Sequence, residues 1–281
     1  MLITDAQVHI WEVDRPDRPW PQPWRNQPQL PDGFTAEQML SAMDEAGVDR
    51  AIIVPPTWAG DGNETAHDTV AQYPDRFAIM GRIDTEAPGA AELLQRWLQQ
   101  PNMLGIRMTF RVPVYRELLV NGQLEWFWDA TERLGIPVTC LVAGEASLLE
   151  PVAAKHPGLT LGVDHMGCNL EAPPEHAFSS IDETLALARY PKVFVKVSSA
   201  PCFSEQDYPF ADVNPYIKRI YDAYGPRRIM WGADLTRLRG TYADCLKHFS
   251  QGLDFLSEDD KQWVLGGNVA EILSWPETLR S

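Results

Sequence analysis

The chain has 281 residues, of which 44% are hydrophobic and 22% charged, and a formal net charge of −15 at pH 7. These proportions are ordinary for one globular domain of α/β-barrel size, and the acidity opposes binding to nucleic acid and to anionic membrane surfaces. No apolar run approaches the roughly 20 residues that span a bilayer, and the first residues, Met1-Leu-Ile-Thr-Asp, lack the pattern of a secretory signal. We therefore expect a cytoplasmic protein with a small-molecule partner and neither a membrane nor a nucleic-acid partner, while homo-oligomerisation stays open.

Short β-branched runs alternate with amphipathic helical stretches along the chain. The predicted strands are residues 3–11, 50–55, 77–83, 104–110, 137–142, 160–165, 193–198 and 228–232. The predicted helices are residues 36–46, 90–98, 126–134, 148–155, 181–189 and 215–223, and a last helix over 269–273 that closes the barrel with Asn268 as its cap. This alternation predicts the α/β class, with one (β/α)8 TIM-barrel domain over residues 1–281.

One segment, residues 14–31, interrupts the alternation after the first predicted strand. It is rich in proline and contains Arg15, Arg18, Trp20, Trp24 and Arg25. Because the loops that follow barrel strands form the active face, the segment is predicted to be a lid or a wall of the substrate site. A surface-covering arm or an oligomer contact is the alternative.

Polar residues at the carboxyl ends of the predicted strands are the candidates for chemistry, because those ends converge on one cavity. They are Gln7, His9, Arg107, His165, Lys196 and Asp234. Two histidines and an aspartate at equivalent strand ends predict a catalytic site. The planar fork of Arg107 is suited to hold both oxygens of a substrate carboxylate.

Two further candidates have alternatives that the sequence leaves open. Lys196 points either into the cavity or into an ion pair with a neighbouring acid. Asn63 contributes to the cavity wall or caps the helix that follows it.

Four motifs, in order, resemble the amidohydrolase superfamily. They are Asp5-Ala-Gln-Val-His9-Ile-Trp11, Asp164-His165-Met-Gly167, Val195-Lys196-Val-Ser198 and Trp231-Gly-Ala-Asp234. The chain is most similar to the amidohydrolase-related branch, which includes 2-pyrone-4,6-dicarboxylate lactonase and L-fuconolactonase. The resemblance implies a hydrolase and adds Trp11 to the expected substrate-binding residues, which are otherwise Gln7, Asn63, Arg107 and Lys196.

One departure from the superfamily bears on the cofactor. The superfamily usually has His-x-His in the first strand, and Gln7 stands at the first of these positions. Losing one imidazole weakens a chelate of a divalent metal, so we expect that no metal is required. The alternative is one divalent metal, zinc or manganese, near His9 and Asp234.

The expected activity is the opening of a small carboxylated lactone, such as a sugar-acid lactone or an intermediate of aromatic degradation. Asp234 is expected to take a proton from water, while His9 and His165 hydrogen-bond the carbonyl under attack. The alternatives are a metal-dependent amidohydrolase or non-oxidative decarboxylase, and a non-catalytic barrel that binds a small acid.

Overall fold

The computed structural model describes residues 2–20, 30 and 32–275, in which eight parallel strands form one sheet in chain order. The strands are β1 Thr4–Val8, β2 Arg50–Ile53, β3 Phe77–Gly81, β4 Met103–Thr109, β5 Val138–Leu141, β6 Leu161–Val163, β7 Val193–Ser198 and β8 Ile229–Gly232. The backbone N–H of Asp234 donates to the carbonyl of Gln7 at 2.8 Å, which brings the end of β8 beside β1. The nearly closed sheet confirms the predicted barrel.

Helices follow the strands and cover the outside of the sheet. They are α1 Ala36–Ala46, α2 Glu64–Gln72, α3 Ala90–Leu94, α4 Pro113–Val120, α5 Glu125–Leu134, α6 Glu150–Lys155, α7 Pro174–Ala177, α8 Ile181–Ala186, α9 Asn214–Tyr224, α10 Tyr242–Gln251, α11 Glu258–Gln262 and α12 Asn268–Ile272. The helices predicted over 90–98 and 181–189 are shorter as α-helices because their last turns tighten into 3-10 geometry. None of the helices in the described part of the chain is long and apolar enough to cross a membrane.

Local sequence signals set several helix ends. In α1, the Thr35 side chain accepts from the backbone of Gln38, whose side chain in turn accepts from the Thr35 backbone. Gly47 ends the same helix with φ 80°, a conformation that glycine adopts without steric cost. Such caps satisfy the unpaired amides and carbonyls at helix ends and so fix the points where the chain returns to the next strand.

The C-terminal helix lies at the start of the strands, opposite the site described below. Leu273 and Trp275 pack with side chains from six strands in a second, smaller hydrophobic cluster. The prediction that Asn268 caps this helix through its side chain is wrong. Asn268 is the first helical residue, and its amide donates to the carbonyls of Pro226 at 2.7 Å and Ile229 at 2.6 Å, because those strand-entry carbonyls need a partner.

The segment 14–31 is described only in part. Arg18 lies 3.1 Å from Asp68 of α2, and the indole N–H of Trp11 donates to the carbonyl of Leu30. Trp24 and Arg25 lie outside the described residues. The described part is thus tied to the ends of β1 and α2, and its function as a lid or wall stays a prediction.

Candidate active site

The carboxyl ends of the strands surround a cavity, which we call the strand-end cavity. Its imidazole and charged lining residues are His9, Arg107, Arg111, His165, Asp234 and Arg237. Four of these, from the ends of β1, β4, β6 and β8, were predicted from the sequence. A barrel brings them together because every parallel strand ends on the same face.

Asp234 is held rigidly at the end of β8. Its backbone has φ 53°, and its side chain is 1% exposed. Oδ2 accepts a hydrogen bond from Ser199 Oγ at 2.8 Å, whereas Oδ1 is buried and has no donor among the described residues. Burial raises the pKa of Asp234, but the neighbouring imidazoles of His9 and His165 and the Arg237 guanidinium outweigh it, so the pKa lies below its ordinary value.

His9 presents Nε2 to that unpaired oxygen. Its Nδ1 lies 2.6 Å from the carbonyl of Val54, which accepts only, so Nδ1 carries the proton. Burial lowers the pKa of His9, which favours the neutral ring. Nε2 then carries a lone pair and lies 3.4 Å from Asp234 Oδ1. Two electron-pair donors therefore converge on one point of the cavity.

His165 lies on the other side of the same carboxylate, with Nε2 4.0 Å from Asp234 Oδ2. Its Nδ1 contacts the hydroxyls of Ser198 at 2.8 Å and Ser199 at 3.1 Å. Burial lowers the pKa of His165 to about 4, so its ring is neutral near pH 7. Both His165 and Ser199 have positive φ, which concentrates backbone strain at the site.

The two serines are functional candidates that the sequence reasoning missed. Ser198 stood at the end of a recognised motif, but it received no function. Nothing in the local pattern distinguished Ser199, because its contacts depend on a left-handed turn directly after β7.

Arg107 lines the cavity but already has a partner. Its Nε donates to Asp164 Oδ2 at 3.1 Å and its Nη1 to Thr109 Oγ1 at 2.7 Å. Nη2 has no hydrogen-bond partner among the described residues. Asp164 and Thr109 thus hold two of the three guanidinium nitrogens of Arg107, which leaves Nη2 for a ligand in the cavity.

Lys196 and Gln7 lie behind the cavity and are not among its lining residues. Lys196 Nζ is 3.1 Å from Asp164 Oδ1 and donates to Gln7 Oε1, so the ion-pair alternative describes its position. Burial raises the pKa of Asp164, but Lys196 and Arg107 lower it to about 2. The Gln7 amide nitrogen lies 3.5 Å from His9 Nε2, because its oxygen is turned to the lysine.

Asn63 and Trp11 line a neighbouring cavity, which shares Pro56 with the strand-end cavity. Asn63 does not cap α2 with its side chain, because that amide pairs with the backbone of Arg82. Trp11 packs edge-on against Trp58, which does line the strand-end cavity.

Two arginines of the strand-end cavity were missed by the sequence reasoning. Arg111, after β4, donates to Glu171. Arg237 follows Asp234 by three residues, and no acidic side chain of the described residues lies within ion-pair distance of it. Arg111 directly follows the predicted strand 104–110, so the rule that selected Asp234 could also have found it. Arg237 lies five residues beyond the predicted strand 228–232, and the path of the turn brings it to the cavity.

A sequence model of the amidohydrolase family matches residues 4–275. The chain belongs to the amidohydrolase family. It is 25% identical to L-fucono-1,5-lactonase of Burkholderia ambifaria, with 94% of this chain and 93% of the relative aligned. It is 24% identical to 4-sulfomuconolactone hydrolase of Hydrogenophaga intermedia, with 84% of this chain and 78% of the relative aligned. The predicted family is confirmed.

The fold comparison agrees with this result. An amidohydrolase of Burkholderia multivorans, solved with bound zinc, superposes with a TM-score of 0.82 at 19% identity. The match covers 98% of this chain and all of the other. The superposition shows that the two proteins share the barrel fold.

The expectation that no metal is required is wrong for this family, since that amidohydrolase was solved with zinc. With Gln7 in place of the usual histidine, the site has one imidazole fewer, but His9 and Asp234 still offer ligand atoms. Two ligands of a tetrahedral zinc ion, each at about 2.1 Å, lie about 3.4 Å apart. His9 Nε2 and the unpaired Asp234 Oδ1 have this separation. They fit two ligand positions of a divalent cation, although no group of three or more His, Cys, Asp or Glu in the described ranges is placed to hold a metal.

Proposed function

We propose that this protein is a hydrolase that opens small carboxylated lactones. The observation that carries the proposal is the convergence of His9 Nε2, the unpaired Oδ1 of Asp234 and His165 Nε2 on one cavity that also presents guanidinium groups. The names of both curated relatives support lactones as the substrate class, since each acts on a lactone.

Asp234 is the base in this proposal. A water molecule that donates its protons to Asp234 Oδ1 and His9 Nε2 is held with an oxygen lone pair free for attack. Its oxygen bonds to the lactone carbonyl carbon as Asp234 takes the proton. The tetrahedral intermediate then collapses, the ring C–O bond breaks, and the leaving alkoxide takes the proton back from Asp234.

The two histidines have different functions in this scheme. Because His9 Nδ1–H is committed to Val54, its neutral Nε2 accepts from water and has no proton to donate to a carbonyl. Ser199 gives its only hydroxyl proton to Asp234, whereas Ser198 is free to donate to His165 Nδ1. The His165 Nε2–H that results hydrogen-bonds the developing oxyanion.

When bound by His9 and Asp234, a divalent cation supplies Lewis acidity to the carbonyl and lowers the pKa of water. The protein's own side chains orient the reactants. Arg107 binds the substrate carboxylate through the edge that Asp164 leaves open, which places the lactone between the two histidines.

The experiment is hydrolysis of a panel of five- and six-membered lactones, each as the carboxylate and as its amide, followed by proton release. Protein is assayed as purified and after addition of zinc or manganese, with a buffer control for spontaneous opening. We expect acceleration of carboxylated lactones that exceeds that of the amides. If no carboxylated lactone opens faster than in buffer under any metal condition, the proposal is wrong.

A further inference from the structure

Asp5 is a fully buried acid that the reaction scheme does not use. It begins the first of the four sequence motifs, but no function was assigned to it there. Its Oδ1 accepts from the backbone N–H groups of Gln7 and Ala233, each at 2.9 Å, and its Oδ2 accepts from the Tyr242 hydroxyl at 2.8 Å. One oxygen atom therefore binds the backbone of β1 and the backbone that follows β8.

The contacts of Asp5 Oδ1 lie where the barrel closes. Ladders pair each strand with the next from β1 to β8, but the described residues form no ladder between β8 and β1. Individual hydrogen bonds join these two strand ends instead, from the Ala233 N–H to Asp5 Oδ1 and from the Asp234 N–H to the Gln7 carbonyl. The relative position of the two strand ends therefore depends on these few contacts.

The backbone of β8 approaches β1 closely at the same point. A Cβ atom at Gly232 would lie 3.0 Å from the Cβ of Gln7 and 3.1 Å from its backbone nitrogen, so only glycine fits there without a shift. Asp5 Oδ1 binds that same nitrogen of Gln7, together with the residue that follows Gly232. The carboxyl thus holds the two strands together where their backbones meet.

This junction carries the two groups on which the proposed chemistry depends. Asp234 directly follows Ala233, and His9 lies two residues after Gln7. His9 Nε2 and Asp234 Oδ1 come from the two sides of the junction and lie 3.4 Å apart. A shift of about 1 Å between the strand ends would disturb this separation, and misplacement on that scale costs about 10²-fold in rate.

We propose that Asp5 is a positioning residue, which sets the distance between His9 and Asp234 through the two amides that Oδ1 accepts. This inference rests on the proposed function, because it assigns Asp5 to the site where that reaction takes place. Asp5 does not line the strand-end cavity, so it acts through the backbone and not by contact with substrate.

This function requires an acceptor atom and not a negative charge. Burial raises the pKa of Asp5 to about 7, although the hydrogen bonds that it accepts oppose the effect. A proton on Oδ2 would leave both hydrogen bonds to Oδ1 in place, with the Tyr242 oxygen as its acceptor. Asparagine has the same shape and offers an oxygen to the two amides. Asp5→Asn should therefore preserve the site, whereas Asp5→Ala should not.

The test compares Asp5→Ala with Asp5→Asn in two measurements, zinc affinity and steady-state kinetics of lactone hydrolysis. We expect Asp5→Ala to lower both zinc affinity and kcat at least about tenfold. KM should change less than about threefold, because the side chains that contact substrate remain. Asp5→Asn should keep zinc affinity and kcat within about threefold of wild type.

Thr4→Val is the matched control, because it removes a buried acceptor from the neighbouring residue of β1. Thr4 Oγ1 accepts from Arg50 Nε at 2.9 Å at the start of the strand, away from the junction of Gln7 and Ala233. The control should lose stability in thermal unfolding but keep wild-type zinc affinity and kcat. If Asp5→Ala does not fold, Asp5→Glu replaces it with the same expected losses, because the longer side chain displaces the acceptor oxygen.

Unchanged zinc affinity and kcat in Asp5→Ala would overturn the inference. So would a loss in Asp5→Asn as large as in Asp5→Ala, since charge and not geometry would then be required. Zinc binding involves no turnover, so a failure of lactone hydrolysis leaves the affinity comparison readable, and the two proposals can fail separately. A wild-type protein that neither binds zinc nor opens a lactone has no site for Asp5 to position, which would overturn the inference as well.

Discussion

Nε2 of His9 and Oδ1 of Asp234 lie 3.4 Å apart at the mouth of the barrel, and the carboxylate oxygen has no hydrogen-bond donor among the described residues. The Val54 carbonyl fixes the tautomer of His9, so the neutral ring turns a lone pair toward a carboxylate. His9 Nε2 has the Gln7 amide nitrogen at 3.5 Å, whereas the buried Asp234 Oδ1 has no donor, which is unfavourable unless a proton, a water molecule or a cation satisfies it. The site is therefore built for a ligand at this point, and the predictions below depend on it.

Asp234→Asn should lose hydrolysis by at least about 10²-fold while it keeps ligand binding, because an amide cannot accept the proton of the attacking water. Steady-state kinetics of lactone hydrolysis and calorimetric binding of the hydrolysed product, both on the same preparation, measure the two effects. Wild-type turnover in this variant would exclude Asp234 as the base.

His9→Ala should lower the affinity for zinc at least about tenfold, because it removes one of the two ligand atoms that fit the ion. Zinc content is measured by elemental analysis after equilibration with a zinc buffer. The matched control is His67→Ala, which changes a histidine of α2 that does not line the strand-end cavity. Equal zinc content in wild-type protein and His9→Ala would contradict the predicted ligand.

Ser199→Ala should lower kcat about tenfold with little change in KM, because Ser199 donates to the catalytic carboxylate and not to substrate. The donated hydrogen bond helps to lower the pKa of Asp234. Its removal raises that pKa, so the base is protonated at higher pH and the acid limb of kcat/KM moves to higher pH. Ser198→Ala should leave the acid limb in place, because the Ser198 hydroxyl contacts His165 and, within the described ranges, makes no hydrogen bond to Asp234. Identical pH profiles for the two variants would contradict the assignment of Ser199, and not Ser198, as the hydrogen-bond donor to Asp234.

Asp164→Asn should destabilise the fold by about 3–5 kcal/mol, because it leaves Lys196 and Arg107 buried without their counter-charge. Urea unfolding measures the loss. Asp222→Asn, which breaks an exposed pair with Lys218, should cost no more than about 0.5 kcal/mol.

The same residue gives the wild-type protein a pH-dependent stability. The pKa of Asp164 is lowered from 3.8 to about 2 in the folded state, so the unfolded chain binds the proton more readily. The contribution, about 2 kcal/mol, is complete above about pH 5 and is lost as the pH falls toward 2. The difference in unfolding free energy between the wild-type protein and Asp164→Asn should therefore shrink by about 2 kcal/mol on acidification, and a constant difference would contradict the assigned pKa.

Arg107→Lys should weaken binding of a carboxylated lactone about tenfold and leave its neutral amide nearly unaffected, because an ammonium cannot reproduce the geometry of the guanidinium fork. KM values and competitive inhibition by product analogues measure the difference. Arg82→Lys is the control, since Arg82 also donates to Thr109 but does not line the cavity. If Arg107→Lys weakens binding of the carboxylate and of the amide equally, Arg107 has a structural function in the barrel and does not bind the substrate carboxylate.

The sequence by itself determined the barrel and the set of strand-end residues. Alternating runs fix which segments are strands, and parallel strands joined by helices must end on one face, so His9, Arg107, His165 and Asp234 had to share a cavity. The predicted helix 36–46 also matches α1, whose ends are fixed by local contacts such as the capping box of Thr35 with Gln38.

Only the tertiary structure decided which partners these side chains take. Arg107 meets Asp164, 57 residues away, and Ser199, directly after β7, contacts His165 and Asp234 at the ends of the two neighbouring strands. Arg237 reaches the cavity through the turn that begins with Asp234 in a left-handed conformation. Periodicity specifies a face but not a rotamer or the direction of a turn, and those depend on packing between segments far apart in the chain.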